Sequence, residues 1–206
     1  MEYLAHIADD GRVQTVSEHL HGTGELAAGF AAPFGASDEA RAAGLLHDIG
    51  KYSAAFQQRI RGSAVSVDHS TAGAQEARNR RDLPAALAIA GHHGGIPDCG
   101  NLNDAADDTT LQGRLKRKLP TYDEWQREIA PPSAKPPAWA LSDSTTAAFY
   151  TRMLYSCLVD ADFQDTQNFM DGKMAPRGAH ASIRNLLDLV RERADSYLAA
   201  AAQTPV

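Results

Sequence analysis

The chain has 206 residues, of which 43% are apolar, with a formal net charge of -6 at neutral pH. That length suits one domain, or one domain with a small appendage, and the apolar fraction can fill a sizeable core. The acidic balance counts against capture of nucleic acid by a broad basic surface, no apolar run approaches the ~20 residues of a membrane span, and the two distant cysteines, Cys99 and Cys157, make no disulfide framework.

The amino-terminal Met-Glu-Tyr-Leu-Ala-His has no basic region followed by an apolar stretch, so a cytoplasmic protein with free thiols is expected. Abundant alanine, with little alternation of β-branched and polar residues, predicts an all-α fold. The first helix is expected from about Ser17 to Phe30, capped by Ser17. A turn follows over Pro33–Ser37. Ser37 or Asp38 then caps a second helix that runs through Ala43, Leu45 and Leu46 to the pair His47-Asp48 and is ended by Gly50. A short helix, Ser53–Ile60, is broken by Arg61-Gly62-Ser63. Two further helices are expected over 70–81 and 83–91, joined near Asp82. Residues 97–140, rich in Asn, Asp and Pro, read as an irregular insertion with a short basic helix around Arg114–Lys118. A long helix resumes near Ser144, with Phe149, Met153 and Cys157 on one stripe and Tyr155, Leu158 and Asp162 on another. A last amphipathic helix spans about Ala181–Ala202, with Ile183, Leu186, Leu187, Val190 and Leu198 as core candidates. One domain is expected over residues 1–198, with 199–206 as a tail or linker.

The chemistry concentrates in three short runs: Gly-Leu-Leu-His47-Asp48-Ile-Gly-Lys51, Asp68-His69-Ser-Thr, and His92-His93-Gly-Gly. Neutral imidazole and carboxylate together suit a transition metal, and a shared carboxylate allows a second ion nearby. Successive helical residues point about 100° apart, so His47 and Asp48 face one cavity only at a helix end, which Gly50 supplies. Asp48 has two oxygens and can bridge two ions. Lys51 is a point charge suited to a phosphate oxygen, or else a solvated surface lysine. Adjacent His92 and His93 end an apolar segment, and the desolvation of two imidazoles there calls for a ligand role. His69 is either a ligand or a helix-start residue. His19 or His21 can reach a site from the first helix. Asp162 lies on a mostly apolar helix face and needs a partner that a metal would supply; Asp160 points elsewhere. His6 and His180 have no such context.

With these motifs the chain resembles the HD superfamily of metal-dependent phosphohydrolases, whose pattern is His…His-Asp…Asp on a helical bundle. Within it, the sequence resembles the HD nuclease domain of the type I CRISPR-associated helicase-nuclease over roughly residues 3–165. Ala5-His6, Glu18-His19-Leu20, the His47-Asp48 run, Phe56-Gln57, Asp68-His69-Ser-Thr-Ala-Gly, Gly91-His92-His93-Gly-Gly and Ser156-Cys-Leu-Val-Asp-Ala-Asp162 carry that resemblance. It implies an HD-domain helical bundle that cuts single-stranded DNA in CRISPR interference, an antiviral defence, with two divalent metal ions drawn from Mn, Fe, Co, Ni, Mg or Zn. By position, His19, His47, Asp48 and Asp162 would hold one ion. His69, His92 and His93 would hold the other, with Asp48 bridging and Lys51 on substrate phosphate. The implied partners are a helicase domain or subunit and a CRISPR surveillance complex. The chain contains no Gly-x-x-x-x-Gly-Lys-Ser/Thr loop of its own, so it is expected to be a nuclease subunit or one domain of a longer protein. Two other readings stand beside this one: an HD-type hydrolase of nucleotides or cyclic nucleotides, and a metal-bound, non-catalytic regulatory module.

Overall fold

The computed structural model describes residues 2–64, 66–173 and 181–202. Its first element is one the helical reading omits. β1 (Leu4–Ile7) and β2 (Val13–Thr15) pair antiparallel, with a bulge between Leu4 and His6. The turn Asp9-Asp10-Gly11 closes the hairpin; Gly11 takes φ 87°, and the Asp10 carboxylate accepts from the Arg12 amide. An Asp-Gly turn is a hairpin signal, but strands this short carry little periodicity.

Outside the segment that follows residue 91, the rest of the first unit is mainly helical, as expected. α1 (Val16–Ala31) starts one residue before the predicted position, because Thr15, not Ser17, caps it. Thr15 and Glu18 form a reciprocal capping box. α1 buries Val16, His19, Leu20, Thr23, Ala27 and Ala31, a stripe at spacings of three and four. α2 (Ser37–Leu46) has no side-chain cap; the Ser37 hydroxyl donates to the Ala28 carbonyl instead and ties α2 back to α1. α2 ends at Leu46, and a 3-10 turn covers Ile49–Tyr52. Gly50 sits inside that turn rather than stopping the helix. Its lack of a side chain matters for packing: a Cβ there would collide with the His69 backbone.

α3 (Ala54–Ile60) is capped by Ser53. α4 (Ser70–Asn79) and α5 (Leu83–Gly91) follow, with Asp82 capping α5. α5 is buried from Pro84 to Gly91, which fits its uniformly apolar sequence.

The segment after α5 is mostly irregular. Its one α-helix, α6 (Leu111–Leu115), begins before the predicted Arg114 and is capped by Thr110. Leu111, Trp125, Ile129 and Ala140 of this segment are buried in the core.

α7 (Ser144–Asp171) starts where expected and packs on α1 and α5. Its buried stripe is Tyr150, Leu154, Cys157, Leu158 and Ala161. Cys157 and Leu158 of the predicted stripes lie on it and Asp162 faces His19 and His47, but the other three members do not. Phe149 is 60% exposed, and Met153 and Tyr155 are half-buried. The buried face runs through Tyr150 and Leu154, one position on from Phe149 and Met153, because that side of α7 meets α1 and α5.

The chain divides into two compact units, 1–174 and 175–206. Within the second, α8 (Ile183–Ala202) has no other described helix to pack against. The predicted core residues Ile183, Leu186, Leu187, Val190 and Leu198 are not core of that unit, because a lone helix cannot bury its own apolar face. The helix includes 199–202, expected to be tail; 203–206 and His180 lie outside the described residues. No helix among the described residues is long and apolar enough to cross a membrane.

Candidate metal centre

Four helix-associated positions deliver the histidines. His47 is the C-cap of α2 and His92 the C-cap of α5. Each donates from Nδ1 to the carbonyl three residues earlier, Gly44 and Ile89, at 2.7 Å. That bond satisfies an end-of-helix carbonyl and leaves Nε2 with its lone pair facing inward. The backbone leaves the helix at Asp48 (φ -119°, ψ 21°), so His47 and Asp48 turn into the same space. His69 stands at the start of α4, with Nδ1 3.3 Å from the Val67 carbonyl. His19 comes from the buried stripe of α1, in its first turn.

Asp48 is 1% exposed, and its two oxygens look in different directions. Oδ2 lies 3.7 Å from His19 Nε2, 3.5 Å from His47 Nε2 and 2.7 Å from Lys51 Nζ. Oδ1 lies 3.4 Å from His69 Nε2 and 3.3 Å from His92 Nε2. Asp162 Oδ1 completes the first side, 3.3 Å from His19 Nε2 and 3.5 Å from His47 Nε2. His93, exposed, closes the second, its Nε2 2.7 Å from His69 Nε2. Two sets result, His19–His47–Asp162 and Asp48–His69–His92–His93, each with ligand atoms within 4.8 Å of one another.

The donor chemistry fits divalent ions. His19 Nε2, His47 Nε2, His92 Nε2 and Asp48 Oδ1 are buried with no hydrogen-bond partner. Orphaned polar atoms in a dry interior are costly, and four converging ones need a shared electrophile. Two atoms each ~2.1 Å from one ion sit ~3.0 to 3.4 Å apart at octahedral or tetrahedral angles, close to the separations found.

The electrostatics agree. Burial opposes ionisation of Asp48, yet Lys51, His47 and His69 outweigh it and hold the carboxyl well below its usual range. Burial likewise works against Asp162, but His19 and His47 hold it far below. Burial, helped by neighbouring His92, pulls His93 down to about 4, so it is neutral and able to ligate at neutral pH. Burial and the Lys51 charge lower His19, but Asp162, Asp165 and Asp48 overcome both and push it up to about 10 in the metal-free protein.

All eight residues singled out from sequence, His19, His47, Asp48, Lys51, His69, His92, His93 and Asp162, gather here. Lys51 is 5% exposed, which removes its reading as a solvated surface lysine. His21 is exposed and bonds the Ser17 carbonyl, so it takes no part. Asp160 is exposed and accepts from Gln164.

Three neighbours went unread. His6, dismissed for lack of context, lies edge-on to His19 with ring centroids 4.7 Å apart and with Nε2 3.4 Å from Lys51 Nζ. Burial and the charges of Lys51 and His19 take it down to about 4. Gln14 and Asp165 bond one another at 2.8 Å beside His19. Only Asp165 had a sequence signal, being one turn beyond Asp162 on the same helix. The insertion also contributes: Arg114 donates to the Ser70 and Thr71 hydroxyls and to the Ala90 carbonyl, joining the start of α4 to the end of α5.

The family model described as HD domain matches residues 16–123, just over half of the chain. The matched span holds His19 through His93 and ends before Asp162. No curated protein matches the chain.

Proposed function

The chain belongs to the HD-domain family, whose members are generally metal-dependent phosphohydrolases, and we propose that this one is an endonuclease that hydrolyses the phosphodiester bonds of single-stranded DNA. The observation that carries the reading is the division of Asp48, with Oδ2 toward His19 and His47 and Oδ1 toward His69 and His92. A carboxylate shared between two imidazole sets suits a pair of ions, and a pair suits a phosphodiester. His19, His47, Asp162 and Asp48 would hold one ion; His69, His92, His93 and Asp48 would hold the other. Such a pair, when bound, supplies a hydroxide nucleophile near neutral pH and neutralises charge on the phosphoryl oxygens.

The chain's own groups do the rest. Asp48 and Asp162 stay ionised, and the neutral His93 keeps its lone pair. Lys51, held between Asp48 and His6, has N–H capacity left for a phosphate oxygen, so Lys51→Ala slows turnover while the ions stay bound. Exposed His93, Gly94 and Gly95 leave one side of the centre open to solvent, where a flexible strand can enter.

The motif set Asp-His-Ser-Thr with His-His-Gly-Gly supports a place in CRISPR interference, with a surveillance complex and a helicase domain or subunit that feeds the strand to this centre. The net charge of -6 supports the same arrangement, since unaided binding would be weak and would fall with salt. The test is metal-free protein reconstituted ion by ion and assayed on circular single-stranded DNA, duplex DNA, RNA, nucleotides and cyclic nucleotides. Internal cutting of the circular strand, with little cutting of duplex, is expected. Turnover of nucleotides alone would replace a nuclease with a nucleotide hydrolase.

A further inference from the structure

His19 differs from the other histidines of the centre in what stands behind it. His47, His92 and His69 each present Nδ1 to a backbone carbonyl. His19 lies in the first turn of α1, where the carbonyls are taken by N–H groups four residues further along the helix. Its Nδ1–H donates instead to Asp165 Oδ2, at 2.8 Å. The same oxygen accepts from Gln14 Nε2 at 2.8 Å, and Gln14 Oε1 accepts from His6 Nδ1 at 2.8 Å. Asp165 is thus fixed from two sides by groups on α1 and on the hairpin.

A second observation comes from α1 itself. Gly22, one turn beyond His19, faces Asp165, and a Cβ built there would collide with Asp165 Oδ1. The helix carries a glycine where the carboxylate passes.

We infer that Asp165 is a positioning residue for His19 and makes the His19–His47–Asp162 half the tighter of two unequal ion sites. The carboxylate keeps the proton on Nδ1, fixes the ring plane and strengthens Nε2 as a donor. In the other half His69 and His92 rest on backbone carbonyls instead, and that half opens to solvent at His93. One ion is therefore resident and the other exchangeable. This rests on the metal-dependent reading above and not on the identity of the substrate.

The test is the full chain, stripped of metal and titrated with cobalt(II) against a competing chelator, with the cobalt absorption spectrum recorded at each step and no DNA present. Wild type should take up two ions of distinct affinity. Asp165→Asn should weaken the tight one roughly 10- to 100-fold, change its spectrum, and leave the weak one within about twofold. Gly22→Ala should do the same by displacing the carboxylate, although alanine favours a helix over glycine. Should Asp165→Asn not fold, Gly22→Ala and Gln14→Ala carry the same readout with the carboxylate still in the chain. Unchanged tight binding in folded variants, or equal weakening of both ions, overturns the inference. Because no DNA enters the measurement, failure of the nuclease reading leaves this result standing, and the reverse also holds.

Discussion

The division of Asp48 between two histidine sets makes a quantitative prediction. An ion that binds only the folded chain stabilises it by about 2.7 kcal/mol when present at a hundredfold excess over its Kd. Two such ions contribute about 5 kcal/mol, and in a folded unit of this size each kcal/mol raises the melting temperature by about 2–4 °C. Saturating manganese or nickel should therefore raise the wild-type melting temperature by roughly 10–20 °C. Asp162 faces only His19 and His47, the tighter site, so Asp162→Asn should remove the larger part of that rise. His92 faces only the Oδ1 side, so His92→Ala should remove the smaller part. Asp48 serves both sides, so Asp48→Asn should abolish nearly all of it. The variant also leaves the buried Lys51 ammonium without its carboxylate, 2.7 Å away in the wild type, which should lower the metal-free melting point as well. Thermal melts with and without metal, with ion content measured by elemental analysis, decide the matter. If Asp48→Asn loses no more of the rise than Asp162→Asn, the carboxylate is not shared and the two-ion arrangement fails.

Other outcomes follow from single contacts. Asp162→Asn should lower bound metal and DNA cleavage sharply, while Asp160→Asn, at an exposed position that accepts from Gln164, should change both by less than about twofold; metal stoichiometry for the pair checks this. Metal-free protein should be most stable near pH 6.5. His6 and His93 have folded pKa values of about 4, below their ordinary 6.5, so the folded chain binds fewer protons than the unfolded one between those values and stability falls as pH drops from 6.5 to 4. His19 is raised to about 10, so its contribution is complete below pH 6.5 and is lost as pH climbs toward 10. Bound metal displaces the His19 proton and should flatten that alkaline loss; chemical denaturation across pH, with and without metal, reads both limbs. Arg114→Ala removes bonds to Ser70, Thr71 and Ala90 and should cost about 2–3 kcal/mol of stability, with a larger loss of the weaker ion than of the tighter one.

Much of this centre was legible before any coordinates. A histidine followed by an acid and a glycine turn, or two histidines before Gly-Gly, marks a helix end where successive side chains can share a cavity, and that local rule places His47, Asp48, His92 and His93. Their gathering with His19, His69 and Asp162 matched the motif order along the chain. Helix content was legible for the same reason: alanine-rich runs that begin at Ser53, near Asp82 and near Ser144 carry their own start signals. What the tertiary structure alone decided depends on contacts between distant residues. The phase of α7 follows from which side of it meets α1 and α5: its local apolar pattern placed Cys157 and Leu158 correctly but favoured Phe149 and Met153 over Tyr150 and Leu154. The hairpin is too short to announce itself by period, yet it brings His6 and Gln14 to the edge of the metal centre. Asp165 reaches His19 across 146 positions of sequence, through a space that exists only because Gly22 has no side chain. Nor does any sequence rule say which oxygen of Asp48 faces which histidines, since that direction is set by the helix ends that converge on it from four separate segments.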